Sequence, residues 1–261
     1  MKVVILCGGQ GTRLREETEV KPKPMVAVGP RPIVWHIMKT YAHAGFDSFV
    51  LCLGYKGEVI KDYFVNYRVR SRDCTVRLGD GSVDVHADGE EESWTVTLAD
   101  TGIESGTGDR IGRVRRYLDA DPDDVFLATY GDALADLDVR DVLATHRRAG
   151  RLATALAVRP SSRFGEMAID GALVSVFQEK PQVDAGWING GFFVFDKRVL
   201  DRLAPGVGSL EEGLLVELAR ERQLAVHQHA GFWQCMDNYR EMKLLQSLWE
   251  QGRAPWAVWD R

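Results

Sequence analysis

Short apolar runs alternate along the chain with segments in which apolar residues recur at helical spacing. The runs predict strands at 3–6, 49–53, 94–98, 125–130, 152–158, 174–181, 192–195 and 224–229. The helical segments lie at 32–41, 58–67, 111–118, 210–222 and around 242–248. Continuous apolar strands separated by helices are typical of a parallel sheet covered on both faces. The predicted fold class is therefore α/β, with a doubly wound, mostly parallel sheet.

Residues 73–100 interrupt this alternation. Apolar residues at 76 and 78, and again at 83 and 85, alternate with polar ones on either side of a Gly-Asp-Gly turn, which predicts a hairpin. A second short hairpin region is expected to open at 164–166. Ser209 followed by Glu212 is typical of a capping box at the start of helix 210–222. Since no internal repeat or low-complexity linker divides the chain, we expect one domain over 1–261 with a small β-rich lobe.

Composition narrows the classes of function. With 45% hydrophobic residues, 27% charged residues and a net charge of -5, the chain has the make-up of an ordinary globular protein. The acidic balance argues against a general nucleic-acid binder, and no apolar run is long enough to predict a membrane span. The four cysteines show no metal-ligand spacing and no signal peptide is recognisable, so we expect a reduced, cytoplasmic location.

A glycine-rich segment directly follows the first predicted strand. It reads Leu6-Cys7-Gly8-Gly9-Gln10-Gly11-Thr12-Arg13-Leu14. Consecutive backbone N–H groups in such a turn form a concavity that binds anions, and the glycines let a ligand approach the backbone. A bare Gly-x-Gly would suit a plain turn, but Arg13, Lys21 and Lys23 follow and add positive charge suited to phosphate. The segment is therefore predicted to bind phosphate.

Two better-known phosphate-binding loops do not match this segment. A P-loop requires Gly-Lys followed by Ser or Thr, which the chain lacks. A dinucleotide-binding loop requires a third glycine at the position of Leu14. The phosphate site is thus of another kind.

Further polar segments lie where strands end. Residues 105–110 form a glycine-rich loop before a predicted helix, where unpaired N–H groups bind anions or base edges, although a simple polar loop suits the local sequence equally well. Asp132 follows strand 125–130, at the edge of the sheet where ligands bind. It suits a cation that bridges to phosphate, and also a turn or a helix N-cap. Asp237 precedes the last helix and by itself is typical of its N-cap.

These motifs together resemble the sugar-1-phosphate nucleotidylyltransferases. The pattern Leu-x-Gly-Gly-x-Gly-Thr-Arg-Leu is specific for that superfamily, and Glu16-Glu17-Thr18-x-x-Lys21-Pro22-Lys23-Pro24-Met25 resembles its glucose-1-phosphate cytidylyltransferase branch. The resemblance extends from Met1 to Pro255-Trp256. It implies a Rossmann-like nucleotidyltransferase fold. It also implies Mg²⁺-assisted transfer of a cytidylyl group from CTP to glucose 1-phosphate, giving CDP-glucose for deoxysugar biosynthesis.

The resemblance also assigns roles to residues. It implies a nucleotide-binding part at roughly 1–140 and a sugar-phosphate-binding and assembly part at roughly 141–261. Arg13 and Lys23 are expected to be catalytic. The expected nucleotide-binding residues are Leu6, Cys7, Gly8, Gly9, Gln10, Gly11, Thr12, Arg13, Lys23, Ser105, Arg110 and Gly131. The sugar phosphate is expected at Glu179, Lys180 and Asn189, and Mg²⁺ at Asp132 and Asp237.

Relatives also suggest a homo-oligomer, a hexamer, without nucleic-acid or membrane partners. Two alternatives to the function remain open. One is the same reaction with dTTP or UTP, or with another hexose 1-phosphate. The other is a catalytically silent nucleotide-sugar sensor, which is expected to lose Arg13, Lys23 or the aspartates, all of which are present. Ala133-Leu134 stand where the family pattern has Gly-Val.

Overall fold

The computed structural model describes residues 1–86, 92–160, 166–170, 173–178, 186–203, 206 and 208–260. The predicted sugar-phosphate residues Glu179 and Lys180 lie outside these residues, as do the first two residues of the hairpin region expected to open at 164–166. Within the described residues the chain forms an α/β fold around a large mixed sheet. The predicted fold class is therefore confirmed.

The described part of the chain contains fifteen strands. They are β1 (Lys2–Leu6), β2 (Ala27–Val28), β3 (Arg31–Pro32), β4 (Ser48–Leu53), β5 (Cys74–Arg77), β6 (Ser82–Val85), β7 (Thr95–Asp100), β8 (Val125–Tyr130), β9 (Ala133–Ala135), β10 (Ala153–Val158), β11 (Glu166–Asp170), β12 (Leu173–Gln178), β13 (Ile188–Asp196), β14 (Leu224–His229) and β15 (Trp233–Cys235). Each strand predicted from an apolar run therefore has a counterpart.

The helices of the described residues lie between these strands, except the last helix, which follows them. They are α1 (Arg15–Thr18), α2 (Ile33–His43), α3 (Gly57–Val65), α4 (Tyr67–Ser71), α5 (Thr107–Arg113), α6 (Arg115–Asp119), α7 (Val139–Ala149), α8 (Leu214–Arg220) and α9 (Tyr239–Glu250). Short 3₁₀ segments add Thr12–Leu14, Lys23–Met25, Lys197–Arg202 and Val258–Asp260. In the described residues, no helix is both long and apolar enough to cross a membrane.

Seven strands form the main sheet, in the order β14-β10-β13-β8-β1-β4-β7. All neighbours are parallel except β13, which is antiparallel to β10 and β8. Leu6 at the end of β1 lies opposite Tyr130 of β8 and Cys52 of β4. Because the carboxyl ends of parallel strands meet at one edge, this register brings the glycine segment beside the loop that follows β8.

The central strand β1 is buried on both faces. Val3 and Ile5 belong to the core on the α2 and α9 side, whereas Val4 belongs to the core on the α5, α6 and α8 side. All three side chains are fully buried. A strand with two buried faces has no polar alternation, which explains its continuous apolar run.

Two predicted helices have different limits in the structure. Helix 58–67 is divided at Asn66 into α3 and α4, because the Asn66 side chain bonds back to Asp62. Helix 111–118 begins earlier, at Thr107, and is divided at Val114 into α5 and α6. Glycines at 106 and 108 concealed that start, since glycine is a weak helix former.

The predicted capping box is only half formed. Ser209 Oγ accepts from the backbone N–H of Glu212 at 3.3 Å, but the helix itself begins at Leu214. The carboxylate that contacts Ser209 is that of Glu211, at 2.6 Å, rather than that of Glu212. Residues 210–213 therefore form a turn that presents Glu211 toward the ligand-binding edge of the sheet.

A pair of short strands connects two distant parts of the chain. β9, directly after Asp132, is antiparallel to β15, with Ala133 opposite Cys235. The N–H of Met236 donates to the carbonyl oxygen of Asp132 at 2.8 Å. Asp132 and Asp237 are thereby brought to the same place. The predicted hairpin is also present as β5 and β6, which pair outside the main sheet.

Candidate active site

A cleft of about 470 Å³ opens at the carboxyl ends of β1 and β8. Its walls come from the glycine segment, the Lys23 segment, the end of β8, the start of α5 and the turn before α8. All predicted nucleotide-binding residues line this cleft except Gln10, which is exposed. The structure therefore gathers residues from five segments at the edge where the sequence predicted ligand binding.

The glycine segment rests on the guanidinium of Arg110. A Cβ on Gly8 would lie 2.0 Å from Arg110 Nη1, so a larger residue there would displace Arg110. Arg110 is only 4% exposed. The groups that accept hydrogen bonds from its guanidinium are the carbonyl oxygens of Gly8, Leu53, Gly102 and Ile103 and the hydroxyl of Thr101. Arg110 thus packs against the loop, and its N–H groups already donate to oxygen atoms of the protein.

Thr18, which belongs to the predicted branch-specific insert, holds the other end of the loop. Gly11 has a φ of 63°, a conformation that other residues adopt only with strain. The hydroxyl of Thr18 donates to the carbonyl oxygens of Gly11 at 3.1 Å and Leu14 at 3.0 Å. Tyr55 in turn donates to the carbonyl oxygen of Thr18 at 3.0 Å. Hydrogen bonds within the protein therefore hold this end of the loop.

Lys23 lies between two carboxylates in the cleft. Its Nζ is 2.7 Å from Asp132 Oδ2 and 2.5 Å from Asp237 Oδ1, and its side chain is 11% exposed. Burial alone would lower the pKa of Lys23, but the charge of Asp132 and the hydrogen bonds to both aspartates raise it above its ordinary value. Lys23 therefore keeps its positive charge in a poorly hydrated site.

The two other basic residues of this region have different environments. Arg13 extends from the loop with 74% of its side chain exposed, and its Nη1 lies 2.7 Å from Asp237 Oδ2. Lys21 pairs instead with Glu17 one helical turn before it, at 2.9 Å. Lys23 and Arg13 share Asp237, whereas Lys21 forms a local pair.

The structure decides between the two interpretations of Asp237. The N-cap of α9 is Asn238, whose side chain accepts from the N–H of Glu241 at 3.0 Å. The side chain of Asp237 contacts Lys23 and Arg13. The N-cap interpretation of Asp237 is therefore wrong, and its carboxylate instead contacts two residues that line the cleft.

The donor set suits a hard divalent cation. Among the described residues, no three histidine, cysteine or acidic side chains gather into a complete metal cage. Mg²⁺ does not need one, because it binds through one or two carboxylates together with water and substrate phosphates. Asp132 and Asp237 both contact the ammonium group of Lys23, which lines the cleft together with the glycine segment. These two residues therefore fit Mg²⁺ held jointly by protein and nucleotide.

Thiol nucleophiles play no part in the cleft. Cys7 lines it but is buried, and burial raises its pKa well above the usual value. Burial raises the pKa of Cys235, close to Asp237, to about 12. Only the thiolate is a strong nucleophile, so both cysteines are inert at neutral pH.

Sequence reasoning missed a network of hydroxyl and carboxylate groups that lines the cleft beside Tyr130. The predicted sugar ligand Asn189 is exposed, and its Nδ2 donates to the hydroxyl of Tyr130 at 3.4 Å. Tyr130 donates to Glu211, which also accepts from Thr107 Oγ1 at 2.7 Å. No local motif distinguishes Glu211 from its neighbour Glu212, so only the turn before α8 reveals it.

Comparisons with known proteins identify the family of the chain. A family model described as Nucleotidyl transferase matches residues 2–234. Glucose-1-phosphate cytidylyltransferases of Salmonella typhi and Salmonella typhimurium (strain LT2) are each 47% identical over 260 residues, which is 100% of both chains. The crystal structure of HddC from Yersinia pseudotuberculosis with GMP-PN shares the fold, with a TM-score of 0.66 over 95% of this chain and 99% of that chain at 20% identity. The chain belongs to the Nucleotidyl transferase family, in the group that contains the glucose-1-phosphate cytidylyltransferases.

Proposed function

We propose that the protein transfers a cytidylyl group from CTP to α-D-glucose 1-phosphate and releases pyrophosphate. The observation that carries this proposal is the full-length similarity to the Salmonella typhi enzyme, at 47% identity. The cleft supports it, because Lys23, Arg13, Asp132 and Asp237 meet there beside the glycine segment. The basic and acidic residues that a silent sensor is expected to lose are all present, which disfavours that alternative.

The reaction requires charge neutralisation rather than a general base. The attacking oxygen belongs to a phosphate that is already ionised at neutral pH. It bonds to the α-phosphorus of CTP while the bond to the β-phosphate oxygen breaks, and pyrophosphate leaves. The buried charge of Lys23 is suited to the negative charge that grows on the α-phosphate, since a fixed charge acts most strongly where water is excluded.

Arg13 is suited to the leaving group. Its guanidinium lies at the mouth of the cleft and is mostly exposed, so a triphosphate can reach it. A planar guanidinium binds phosphate oxygens through two parallel hydrogen bonds. We assign the β- and γ-phosphates to Arg13.

Asp132 and Asp237 are proposed to hold Mg²⁺, which when bound supplies positive charge to the phosphates and orients them. Without a cation, two carboxylates beside a triphosphate would repel it, and Lys23 contributes only one positive charge.

On the sugar side, Asn189 is proposed to bind a glucose hydroxyl. Roles for Glu179 and Lys180, the hexameric assembly and the cytoplasmic location stay predictions.

The test is to incubate the protein with Mg²⁺, glucose 1-phosphate and CTP, UTP or dTTP in turn, and to measure pyrophosphate release and the product formed. CTP is expected to be used far better, because a buried site that pairs with one base leaves polar groups unpaired with another. Comparable turnover with all three nucleotides would refute the cytidylyl assignment. Binding of CDP-glucose without any pyrophosphate release would support the sensor instead.

A further inference from the structure

Glu211 carries a negative charge at the wall of the cleft. It is half-buried, and its carboxylate accepts from Ser209 Oγ at 2.6 Å, from Thr107 Oγ1 at 2.7 Å and from the hydroxyl of Tyr130. Burial alone would raise the pKa of Glu211, but these hydrogen bonds lower it below its ordinary value. Glu211 is therefore ionised at neutral pH, and its described partners are hydroxyl groups rather than a cation.

The neighbouring side-chain donors at this wall are already engaged. Arg110 donates to backbone carbonyl oxygens, and Ser105 Oγ donates to the carbonyl oxygen of Thr101 at 2.5 Å. The hydroxyls of Thr107 and Ser209 donate to Glu211. A carboxylate has about four acceptor positions, of which three are occupied here. What this wall offers a ligand is therefore a hydrogen-bond acceptor.

An anionic acceptor suits only some parts of the substrates. It repels the triphosphate, so it must face a neutral group that donates a hydrogen bond. Thr107 follows β7, and β7, β4 and β1 lie on one side of β8, whereas β13, which carries Asn189, lies on the other side. The glycine segment after β1 is on the same side as Thr107. Glu211 is linked to Asn189 on the sugar side only through Tyr130, whereas it accepts directly from Thr107. The direct contact with Thr107 favours the nucleoside end of the cleft for Glu211.

We propose that Glu211 accepts a hydrogen bond from the 4-amino group of cytosine and thereby selects CTP over UTP and dTTP. Uracil and thymine carry an oxygen at this position, whose lone pairs face the carboxylate without a proton between them. The hydroxyls of Thr107, Ser209 and Tyr130 fix the carboxylate in one orientation. This inference rests on the proposed use of CTP.

The test compares Glu211→Gln with the matched change Glu212→Gln in the exposed neighbouring residue. The glutamine amide can still accept from Thr107 and Ser209, and it offers uracil a donor. After the wild-type preference for CTP has been measured, kcat/KM is determined for CTP and UTP with each variant. In Glu211→Gln the CTP-to-UTP ratio is expected to fall by roughly tenfold to a hundredfold, the range for a hydrogen bond to a charged group. Glu212→Gln is expected to keep the wild-type ratio.

A second measurement does not depend on the folding of a variant. The triphosphate of 2-pyrimidinone riboside, which is CTP without its 4-amino group, is titrated into the wild-type protein by calorimetry. It is expected to bind roughly tenfold or more weakly than CTP. Equal affinity for the two nucleotides would overturn the proposal, as would an unchanged CTP-to-UTP ratio in folded Glu211→Gln or a rise in KM confined to glucose 1-phosphate. A wild-type preference for UTP or dTTP would instead refute the proposed function.

Discussion

The ammonium of Lys23 lies 2.7 Å from Asp132 Oδ2, although the two residues are 109 positions apart. The same nitrogen contacts Asp237, 214 positions away. The first contact depends on the parallel pairing of β1 with β8, and the second on the pairing of β9 with β15. One positive charge therefore holds together two carboxylates that would otherwise repel each other.

Lys23→Ala is expected to lower kcat by roughly a hundredfold or more, because it removes charge that stabilises the transition state. Lys21→Ala is the matched control, since Lys21 pairs with Glu17 at the surface. Steady-state pyrophosphate release from both variants provides the measurement. Equal losses in the two variants would contradict the assignment of catalysis to Lys23.

The same substitution has an expected effect on stability. Without Lys23, Asp132 loses its cationic partner and Asp237 keeps only the exposed Arg13, so the melting temperature is expected to fall. Mg²⁺ is expected to restore it, and to raise it more than in the wild-type protein. Thermal unfolding with and without Mg²⁺ tests this, and a variant insensitive to Mg²⁺ would argue against a metal at these carboxylates.

Asp132→Asn and Asp237→Asn are each expected to raise the Mg²⁺ concentration needed for half-maximal rate. The double variant is expected to be scarcely worse than the poorer single one, because residues that act as a unit are not additive. Initial rates at varied Mg²⁺ provide the measurement for all four proteins. A normal Mg²⁺ curve for Asp237→Asn would leave Asp132 as the only ligand.

Asn238→Ala is the control for that series. It removes the N-cap of α9 and is expected to reduce the free energy of unfolding by about 1 kcal/mol. The Mg²⁺ requirement is expected to stay near the wild-type value, because the Asn238 side chain bonds the N–H of Glu241 in its own helix. A large shift in the Mg²⁺ curve would show that the cap, rather than the Asp237 carboxylate, controls the site.

Gly8→Ala and Gly9→Ala form a pair that separates structural from ligand-facing roles. The Cβ on Gly8 meets Arg110, so Gly8→Ala is expected to lower both the melting temperature and the activity. A Cβ on Gly9 meets no protein atom within 4 Å, so Gly9→Ala is expected to stay as stable as the wild type. Its KM for CTP is expected to rise, since the methyl group then faces the nucleotide. Wild-type kinetics of Gly9→Ala would remove Gly9 from the binding loop.

His36 is expected to make stability depend on pH. Its Nε2 bonds the carbonyl oxygen of Val28 at 2.8 Å, its Nδ1 accepts from Trp256, and burial lowers its pKa from 6.5 to about 4. The lowered pKa means that protons bind the unfolded chain more tightly, so this contribution is complete above 6.5 and is lost as the pH falls toward 4. We expect the free energy of unfolding to fall by about 2 kcal/mol between about pH 7.5 and about pH 5.

Urea unfolding at the two pH values measures this effect. His36→Gln is expected to show a weaker dependence on pH than the wild-type protein. A residual slope of the same sign is expected from His146 and His227, since burial lowers the pKa of each. An unchanged slope in His36→Gln would assign the pH dependence to other groups.

The sequence by itself determined the strands of the main sheet and the position of the glycine-rich loop after β1. β1, β4 and β8 are buried on both faces, so each of them requires a continuous apolar run. Such a run can be recognised in the sequence without knowing which strands pair with it. The glycine segment can also be recognised locally, because a turn that exposes backbone N–H groups to a ligand requires glycines at fixed positions. Both features are local. The strands were found where they were predicted, and the glycine segment lines the cleft there, whereas its binding of phosphate stays a prediction.

The tertiary structure decided which of several similar residues faces the cleft. Lys21 and Lys23 are alike in sequence, as are Asp237 and Asn238 at the start of α9 and Glu211 and Glu212 before α8. In each pair, one residue forms a local contact or lies in solvent, and the other reaches a partner from a distant strand or helix. Local sequence does not encode those partners, because side-chain direction depends on strand pairing and helix start points that only the packed sheet fixes.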